Sequence, residues 1–404
     1  MSPRLLAVCL AAALLLLACG GGAPSSGDQG SPPQLGQVES DLSSDCTGLV
    51  PASLPASRLD QFLIPTSATC LNGTADRSGK IALGWVSDAN DASWLLRTHA
   101  DAAGGATMTG HGMAPLLAME NGFQGLSFTP SPSETETIHA YTHSGTPVLD
   151  QPIPPAGSAH LWHVAVDYSG GDGSVIAHGS TSNTGNHFFN LYVSRLYANG
   201  TYNFADSFVD TMHFAPAWVL VGTTFARHTL VLWDGAVMGM GGQHVAARWF
   251  AVDGTPASPT FDAGSVPGIY GAQMDLRPTI GTGLVLQVAG QWVLSFPNYT
   301  TVTAAPSWLA SRPNTKLEYI HGQRAYALLP FKGASATPCA QTIEVRAPAG
   351  NLCGTKTFTD GSASCSTGEI DLGRDGTVIQ QAPSESCGAG HCSCTHRFWP
   401  AAFP

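Results

Sequence analysis

The densest group of residues that could do chemistry lies near the C-terminus, in the sequence Cys387-Gly-Ala-Gly-His391-Cys392-Ser-Cys394-Thr-His396. Thiolate and imidazole groups at such close spacing are suitable ligands for zinc. The paired Cys-x-x-Cys motifs of common zinc sites are missing, however, and in an oxidising compartment disulfides form in preference to metal sites. We therefore interpret these cysteines as disulfide partners, and we predict neither a metal nor another cofactor.

Histidines and carboxylates are the other candidates. His160 and His163 form a local pair, and His178 and His187 flank a polar loop. Such imidazoles could bind a metal or act as general bases. No carboxylate is spaced to match them, so we predict half-buried, hydrogen-bonding roles instead.

Glycoside hydrolysis would need two carboxylates at about 5 to 9.5 Å. The candidates lie mostly beside glycine or at strand ends, where a turn role explains them, and the spacing leaves open whether any two converge. They are Asp167, Asp172, Asp206, Asp210, Asp234, Asp262 and Asp275.

Tryptophan faces can stack on sugars or on partner side chains. Most tryptophans here alternate with aliphatic residues, which predicts a core position for Trp85, Trp94, Trp162, Trp218, Trp233, Trp249, Trp292 and Trp308. The sequence contains no Gly-x-Ser-x-Gly, His-Glu-x-x-His, P-loop, Gly-x-Gly-x-x-Gly or EF-hand motif. We therefore predict no catalytic residue.

The N-terminal segment indicates the cellular localisation of the protein. Arg4 precedes an apolar run from Leu5 to Leu17, which ends in Leu16-Leu17-Ala18-Cys19. The run is shorter than the roughly 20 residues of a membrane-spanning helix. It resembles the lipobox of bacterial lipoproteins, although an ordinary secretory signal shares its other features.

The lipoprotein resemblance implies cleavage before Cys19, followed by acylation of its sulfur and of the new amino terminus. Two acyl chains suffice for stable membrane anchoring. The second residue of the mature chain would be Gly20 rather than aspartate, which in lipoproteins of two-membrane bacteria favours the outer membrane. Residues 1–18 are then the signal peptide, and residues 19–45, rich in Gly, Ser and Pro, are a flexible tether.

The other cysteines are consistent with export. Without Cys9 in the signal and Cys19 in the lipobox, eight remain, and an even set in an exported chain indicates disulfides. The spacing suggests a local bridge between Cys46 and Cys70 in a lead-in over residues 46–75. It also suggests three bridges within the C-terminal six cysteines, without indicating which cysteine pairs with which. These six are Cys339, Cys353, Cys365, Cys387, Cys392 and Cys394.

Composition excludes some partners. Only 11% of the residues are charged, against roughly 25% in average proteins. The net charge of −11 and the presence of only four lysines argue against binding to nucleic acid or to an anionic lipid surface. The hydrophobic fraction of 43% is sufficient for a sizeable core.

The body of the chain, residues 76–335, predicts short strands. Apolar runs such as residues 80–86, 161–166, 217–221 and 283–288 carry β-branched and aromatic residues and are separated by Gly, Pro, Asn and Asp. Only residues Ser57 to Leu63 suggest a helix. Strands at this spacing predict an all-β sandwich, barrel or propeller.

A weak internal repeat favours the propeller. A strand end and a turn recur from Arg97, His139, Arg195 and Arg248, at intervals of 42, 56 and 53 residues, with fainter copies from Leu294 and Glu344. Between the third and fourth copies lie four strand-like runs: residues 202–209, 217–223, 228–238 and 245–252. Four strands per unit of this length are typical of a propeller blade. The chain thus resembles β-propeller proteins, with six or seven blades; the alternative is a pair of β-sandwiches.

The cysteine-rich residues 336–404 are either closing blades or a small disulfide module, and we favour the first because a propeller must close its ring. We therefore expect a lipid-anchored cell-envelope protein with a non-catalytic propeller, which serves either in binding a glycan, peptide or protein or in a structural role. The alternative is an extracytoplasmic hydrolase or lyase acting on glycans or peptides. Perturbed acids together with a histidine in the central funnel would favour the enzyme.

Overall fold

The structure is a computed structural model that describes residues 44–87, 91–99, 107–111, 116–129, 135–153, 159–168, 173–181, 188–235, 244–281, 283–320, 324–331, 340–359, 369–381, 386–388 and 390–403. These residues form seven antiparallel sheets, six of four strands and one of five. The predicted all-β propeller is confirmed, and the number of blades is seven.

Blades 1 to 6 each use four consecutive strands, with the first strand innermost, because the first strands of neighbouring blades contact one another. Blade 1 contains β2 (Thr69–Ala75), β3 (Ile81–Val86), β4 (Asp91–Arg97) and β5 (Thr107–His111). Blade 2 contains β6 (Leu116–Ala118), β7 (Gly122–Thr129), β8 (Thr135–Thr142) and β9 (Pro147–Pro152). Blade 3 contains β10 (Ala159–Asp167), β11 (Gly173–Thr181), β12 (Phe189–Tyr197) and β13 (Tyr202–Met212).

The next three blades follow the same order. Blade 4 contains β14 (Val219–Thr223), β15 (Thr229–Asp234), β16 (His244–Phe250) and β17 (Phe261–Ser265). Blade 5 contains β18 (Met274–Pro278), β19 (Leu284–Val288), β20 (Gln291–Phe296) and β21 (Thr303–Ala304), and the short helix α1 (Ser307–Ala310) follows it. Blade 6 contains β22 (Thr315–Ile320), β23 (Ala325–Pro330), β24 (Ala340–Arg346) and β25 (Leu352–Thr359).

Blade 7 joins the two ends of the described chain. Its inner strands β26 (Ile370–Leu372) and β27 (Val378–Gln381) and the short β28 (Ser386–Gly388) come from the C-terminal part, as does β29 (His391–Trp399). The outermost strand is β1 (Arg58–Pro65), which pairs with β29 from Arg58↔Phe398 to Pro65↔His391. The helix predicted at Ser57 to Leu63 is therefore wrong. Asp60 and Ile64 are buried, Phe62 between them is half-buried, and the intervening residues are exposed, so burial alternates with the period of two of a strand.

The hydrophobic core lies between blades. Leu220, Leu230 and Trp249 of blade 4 pack in one cluster with Leu276 and Leu284 of blade 5. The inner strands β14 and β15 are buried along their whole length, since each contacts a neighbouring blade on both faces. Burial of this apolar surface between blades stabilises the ring.

The sequence repeat marks the third strand of a blade. Each clear copy lies on a third strand: Arg97 on β4, His139 on β8, Arg195 on β12 and Arg248 on β16. The runs between the third and fourth copies are the outer strand of blade 3 and the first three strands of blade 4. The unit seen in the sequence is thus shifted by one strand from the blade.

The turn after the fourth copy needs glycine because two blades approach closely there. Gly254 has φ of 82°, and a Cβ atom there would lie 2.6 Å from Cγ of Phe204 in the neighbouring blade. Only glycine fits such a left-handed turn in this space.

The disulfides differ from the local bridge that the sequence suggested. Cys46 pairs with Cys353, and Cys70 pairs with Cys394, so the predicted Cys46–Cys70 bridge is wrong. The prediction of three bridges within the C-terminal six cysteines is wrong as well, because Cys353 and Cys394 pair with cysteines outside that group. The physical reason is ring closure, which brings the first strands next to the last ones. Cys392 is also disulfide-bonded. Cys19, Cys339 and Cys365 lie outside the described residues, as does the side chain of Cys387.

The boundaries of the lead-in and of the C-terminal segment also look different in the structure. Residues 58–65 belong to blade 7 and residues 69–75 are the inner strand of blade 1. Residues 340–359 complete blade 6, and the C-terminal strands of blade 7 begin only after them. Within the part of the chain described above, no helix has the length and apolar character needed to cross a membrane.

Candidate functional site

A cavity of about 620 Å³ opens among the first strands of the blades. We call it the funnel. Its lining combines apolar residues of blades 1 and 2, such as Leu71 and Leu116, with the charged residues of blades 5, 6 and 7. A cavity of this volume is the size of a small-molecule site.

Three inner segments each supply two charged side chains separated by one buried aliphatic residue. The sequences are Asp275-Leu276-Arg277 in blade 5, Lys316-Leu317-Glu318 in blade 6 and Glu369-Ile370-Asp371 in blade 7. Residues two apart on a strand point to the same face. The buried aliphatic residue packs between blades, so the charged pair turns toward the middle of the ring.

Arg277 is the centre of the first group. Its Nε donates to Asp275 Oδ2 at 2.7 Å, and its Nη1 lies 3.3 Å from Glu318 Oε1. Nη1 also donates to the hydroxyl of Tyr168, which follows the inner strand of blade 3. One guanidinium therefore links blades 3, 5 and 6.

Lys316 is the centre of the second group. Its Nζ lies 2.7 Å from Glu369 Oε1 and 2.9 Å from Asp371 Oδ1. These two ion pairs join blade 6 to blade 7. Between 15% and 29% of the side chains of these two groups remains accessible, which leaves polar atoms able to contact a ligand.

Arg374 supplies a third cation at the funnel. It donates to the carbonyl of Ala118 in blade 2 at 3.2 Å, and its guanidinium lies 5.6 Å from the ring centre of Tyr168. Tyr168 in turn contacts Tyr319 edge-to-face at 5.1 Å. These contacts fix the aromatic and cationic groups in place before any ligand binds.

The pKa values of the funnel acids are shifted upward. Burial raises the pKa of Glu318, the Arg277 guanidinium opposes that shift, and the neighbouring carboxylates add to it. Burial likewise raises the pKa of Asp371, against the effect of Lys316. Glu318 and Asp371 line the funnel, while Asp275 and Glu369 lie next to it on Arg277 and Lys316. Repulsion among these acids favours the protonated form.

The pKa values of the basic and phenolic groups are also raised, but for different reasons. Burial lowers the pKa of Arg277, but Asp275 and Glu318 outweigh burial and the net shift is upward. The pKa of Lys316 is raised in the same way, because Asp371 and Glu369 outweigh its burial. Burial raises the pKa of Tyr168 as well, so its hydroxyl stays protonated as a hydrogen-bond donor.

Only one acid predicted from the sequence, Asp275, belongs to this cluster. Asp210, Asp234 and Asp262 converge instead on a second cavity of about 430 Å³ between blades 3 and 4, together with His244. Asp167 is buried in an ion pair with Arg195, and Asp206 Oδ1 lies 3.4 Å from His178 Nε2. Asp172 lies outside the described residues.

The predicted histidines have hydrogen-bonding roles where the structure describes them. His163 Nδ1 accepts the Val221 N–H at 3.2 Å, and His178 is fully buried with Nε2 2.9 Å from the Ser194 hydroxyl. His187 and the side chain of His160 lie outside the described residues.

The C-terminal Cys/His segment does not assemble a metal site among the residues described. Cys394 is bonded to Cys70, and His396 is buried with Nε2 donating to the Leu71 carbonyl at 2.9 Å. Within the described ranges no group of three ligating side chains is placed to hold a metal ion.

The tryptophans pack as the sequence predicted. Five of them are buried in the hydrophobic clusters of the blades and two are half-buried: Trp94, Trp218, Trp233, Trp249 and Trp292, then Trp85 and Trp308. The side chain of Trp162 is outside the described residues.

Sequence reasoning missed Arg277, Lys316, Glu318 and Asp371. A signal was present, since the charged–aliphatic–charged triplets start at 275, 316 and 369, at intervals of 41 and 53 residues, which match the blade repeat. The triplets are only three residues long and differ in the pattern of their charges, so a comparison of blade-length repeats does not detect them.

No family model matches the sequence, and a search of curated proteins finds no relative. Solved structures of similar organisation include the WD40 domain of SCAP from fission yeast, at 8% identity and a TM-score of 0.36, covering 86% of this chain and 99% of that one. The polysaccharide lyase Uly1 matches at 8% identity and a TM-score of 0.44, covering 86% and 100%.

The propeller domain of the Trilobed protease from Pyrococcus furiosus matches at 8% identity and a TM-score of 0.42, covering 73% of this chain and 85% of that one. These values concern the fold alone. The seven-bladed architecture rests on the strand pairing described above.

Proposed function

We propose that this protein binds a small polar ligand, of the glycan or peptide class, in the funnel, and that it does so without converting it. The observation that carries the proposal is the bridging position of Arg277, which holds Asp275, Glu318 and Tyr168 around one cavity. Groups from three blades converge there in fixed orientations, and such preorganisation favours binding.

The ion pairs support binding more than catalysis. Arg277 is paired with Asp275 and Glu318, and Lys316 is paired with Glu369 and Asp371, so each acid of the cluster has a cation beside it. Compensated carboxylates and guanidinium groups can accept and donate hydrogen bonds to hydroxyl or amide groups. Trp94 and Tyr168 at the same cavity provide aromatic surface for a sugar ring or an apolar side chain.

We further propose that the propeller is held at the outer membrane through acylated Cys19. The lipobox-like sequence before Cys19 and the Gly/Ser/Pro-rich residues 20–45 support this anchor. The distant disulfides are consistent with an oxidising compartment outside the cytoplasm.

The binding proposal can be tested by saturation-transfer-difference NMR with neutral oligosaccharides, acidic oligosaccharides and short peptides. We expect binding by the wild type, weakened about tenfold or more by Glu318→Gln or Tyr168→Phe. The first change removes the negative charge that pairs with Arg277, and the second removes the hydroxyl that accepts from Arg277. Glu120→Gln is the matched control, since Glu120 forms an exposed ion pair with Arg77. Equal binding by all variants would contradict the proposal.

A hydrolase or lyase acting on glycans or peptides is the second candidate, and the raised pKa of Glu318 favours it. A carboxyl group that holds its proton nearer to neutral pH can act as a general acid. No histidine is among the residues that line the funnel in the described part of the chain, which is why we place binding first.

Turnover separates the two candidates. The enzyme requires product formation from a bound glycan or peptide, seen as new reducing ends, new amino termini or an unsaturated product, and Glu318→Gln should abolish it while ligand still binds. The binder leaves every bound compound intact over prolonged incubation.

A further inference from the structure

Blade 2 carries a serine, a histidine and an aspartate linked in one line. The Ser127 Oγ atom lies 2.5 Å from His139 Nε2, and His139 Nδ1 lies 2.7 Å from Asp150 Oδ1. The three residues are on adjacent strands β7, β8 and β9. The two ring nitrogens thus have different partners, a hydroxyl on one side and a carboxylate on the other.

The partners determine the tautomer. A carboxylate only accepts hydrogen bonds, so His139 donates from Nδ1–H to Asp150. The lone pair on Nε2 is then free to accept the Ser127 hydroxyl proton. This is the arrangement in which an imidazole acts as general base for a serine nucleophile.

The strand register explains the geometry. His139 lies directly opposite Asp150 on one side and Gly125 on the other. Gly125 has no side chain, so the imidazole can extend across it to Ser127, two residues further along β7 and on the same face.

The other blades carry different residues at these positions. The third-strand residue is arginine in blades 1, 3 and 4, where Arg97 pairs with Asp60, Arg195 pairs with Asp167 and Arg248 donates to the Val209 carbonyl. Opposite these arginines stand Ile81, Val175 and Val231, where blade 2 has Gly125.

Two residues further along the second strand, the same blades carry Leu83, Ala177 and Trp233, all buried, where blade 2 has Ser127. Blade 6 also has an arginine on its third strand, Arg346. On the fourth strands Phe204 lies opposite Arg195 and Leu352 opposite Arg346, where blade 2 has Asp150 opposite His139. Blade 2 thus departs from the repeat at every position of the linked group.

The group lies at the seam between blades 1 and 2. Phe123 and Tyr141, on the same face of blade 2, pack with Trp94 of blade 1. Exposure rises outward, from 8% for Ser127 through 21% for His139 to 68% for Asp150. Ser127 is shielded while its base remains in contact with solvent at the rim.

We propose that Ser127, His139 and Asp150 form a serine-nucleophile site that cleaves small carboxylic esters. Ser127 Oγ attacks the ester carbonyl carbon and its proton passes to His139 Nε2. The C–O bond to the alcohol breaks, and the alcohol leaves with that proton, so an acyl-serine forms. Water then attacks the acyl carbon, gives a proton to His139 and releases the acid, with Ser127 re-protonated. Asp150 is a positioning residue that holds the imidazole. The site is separate from the funnel and does not depend on the function proposed there.

The chain contains an internal contrast. Ser194 also lies 2.9 Å from a histidine nitrogen, His178 Nε2, but that pair is fully buried and Nδ1 of His178 has no hydrogen-bond partner among the described residues. The Asp206 carboxylate lies 3.4 Å from Nε2, the same nitrogen that contacts Ser194, so it does not orient the ring through Nδ1. This buried pair should not react.

The test is covalent labelling of the purified protein with a fluorophosphonate probe. In that reaction Ser127 Oγ forms the P–O bond, fluoride leaves and the hydroxyl proton passes to His139. Hydrolysis of p-nitrophenyl butyrate is measured in parallel. We expect the wild type to be labelled on the peptide that contains Ser127, and to hydrolyse the ester.

Ser127→Ala should lose both label and hydrolysis, and Asp150→Asn should be labelled about 10²- to 10⁴-fold more slowly because the imidazole loses its orienting acceptor. Ser144→Ala, in an exposed turn, is the control and should match the wild type. Thermal unfolding of each variant shows whether it is folded. An unlabelled wild type, equal labelling of folded Ser127→Ala, or wild-type labelling of Asp150→Asn would overturn the proposal.

Discussion

Cys70 and Cys394 are joined by a disulfide across 324 residues, from the first strand of blade 1 to the third strand of blade 7. Beside this bridge, β1 completes blade 7 by pairing with β29. The ring is therefore closed twice between its first and last blades, once by strand pairing and once covalently.

The double variant Cys70→Ser/Cys394→Ser should lower the free energy of unfolding by about 2 to 5 kcal/mol, because the bridge restricts a long loop in the unfolded chain. Urea unfolding without reductant measures it. Reduction of the wild type should lower the free energy of unfolding further, because it also opens the Cys46–Cys353 bridge. An unchanged unfolding midpoint, or a Cys46–Cys70 peptide on non-reducing mapping, would contradict the closure.

Two buried histidines should make the fold sensitive to acid. Burial lowers the pKa of His178 and that of His396 to about 4, from 6.5 in the unfolded chain. Above pH 6.5 both states are neutral. Between pH 6.5 and 4 only the unfolded state binds the proton, so stability falls as the pH falls, by about 1.4 kcal/mol per pH unit for each histidine.

His178→Gln should therefore flatten the dependence of the unfolding free energy on pH across that range, even if the variant is less stable overall. His391→Gln is the matched control, because His391 is exposed. Urea unfolding at several pH values measures both slopes. Equal slopes for the His178 variant and the wild type would disprove this role of burial.

Acylation of Cys19 can be tested independently of the fold and of the funnel. Metabolic labelling of cells with a fatty-acid analogue should mark the intact protein, and Cys19→Ser should remove the label and release the protein from the membrane fraction. Label that persists in the variant would refute acylation at Cys19, whatever the fate of the funnel proposal.

Lys316 should be important for the contact between blades 6 and 7. Lys316→Met leaves Glu369 and Asp371 without their cation, which should cost roughly 3 to 5 kcal/mol at neutral pH. The loss should shrink as the pH falls and the two carboxyl groups take up protons. Lys356→Met, at a half-buried position where Nζ donates to the Ala52 carbonyl, should cost far less. Equal costs for the two variants in urea unfolding would contradict the role of the funnel ion pairs.

Much of the fold could be predicted because strands and turns are local properties. Alternation of apolar and polar residues and the turn glycines, such as Gly254, follow from a few consecutive residues. The residue at which each blade begins could not be predicted. The sequence repeat marks the third strand of a blade, and no local sequence feature shows which strand is innermost. The same limitation explains residues 58–65, whose strand forms only because β29 is available to pair with it.

The candidate site was harder to predict, because it depends on contacts between distant segments. Asp275 was recognised as a candidate, but its partners Arg277 and Glu318 were not, since single charged residues on short strands look like solvent-facing positions. Their convergence depends on seven inner strands meeting at one axis. The cysteine pairing failed for the same reason, because spacing along the chain suggests nearby partners while the ring brings Cys70 next to Cys394.

The most direct test of the central claim is a crystal structure of the protein with a glycan or peptide found by NMR to bind. The account predicts that the ligand lies in the funnel and hydrogen-bonds to Arg277, Glu318 or Tyr168. A ligand bound outside the funnel, with the contacts among these three side chains unchanged, would contradict it.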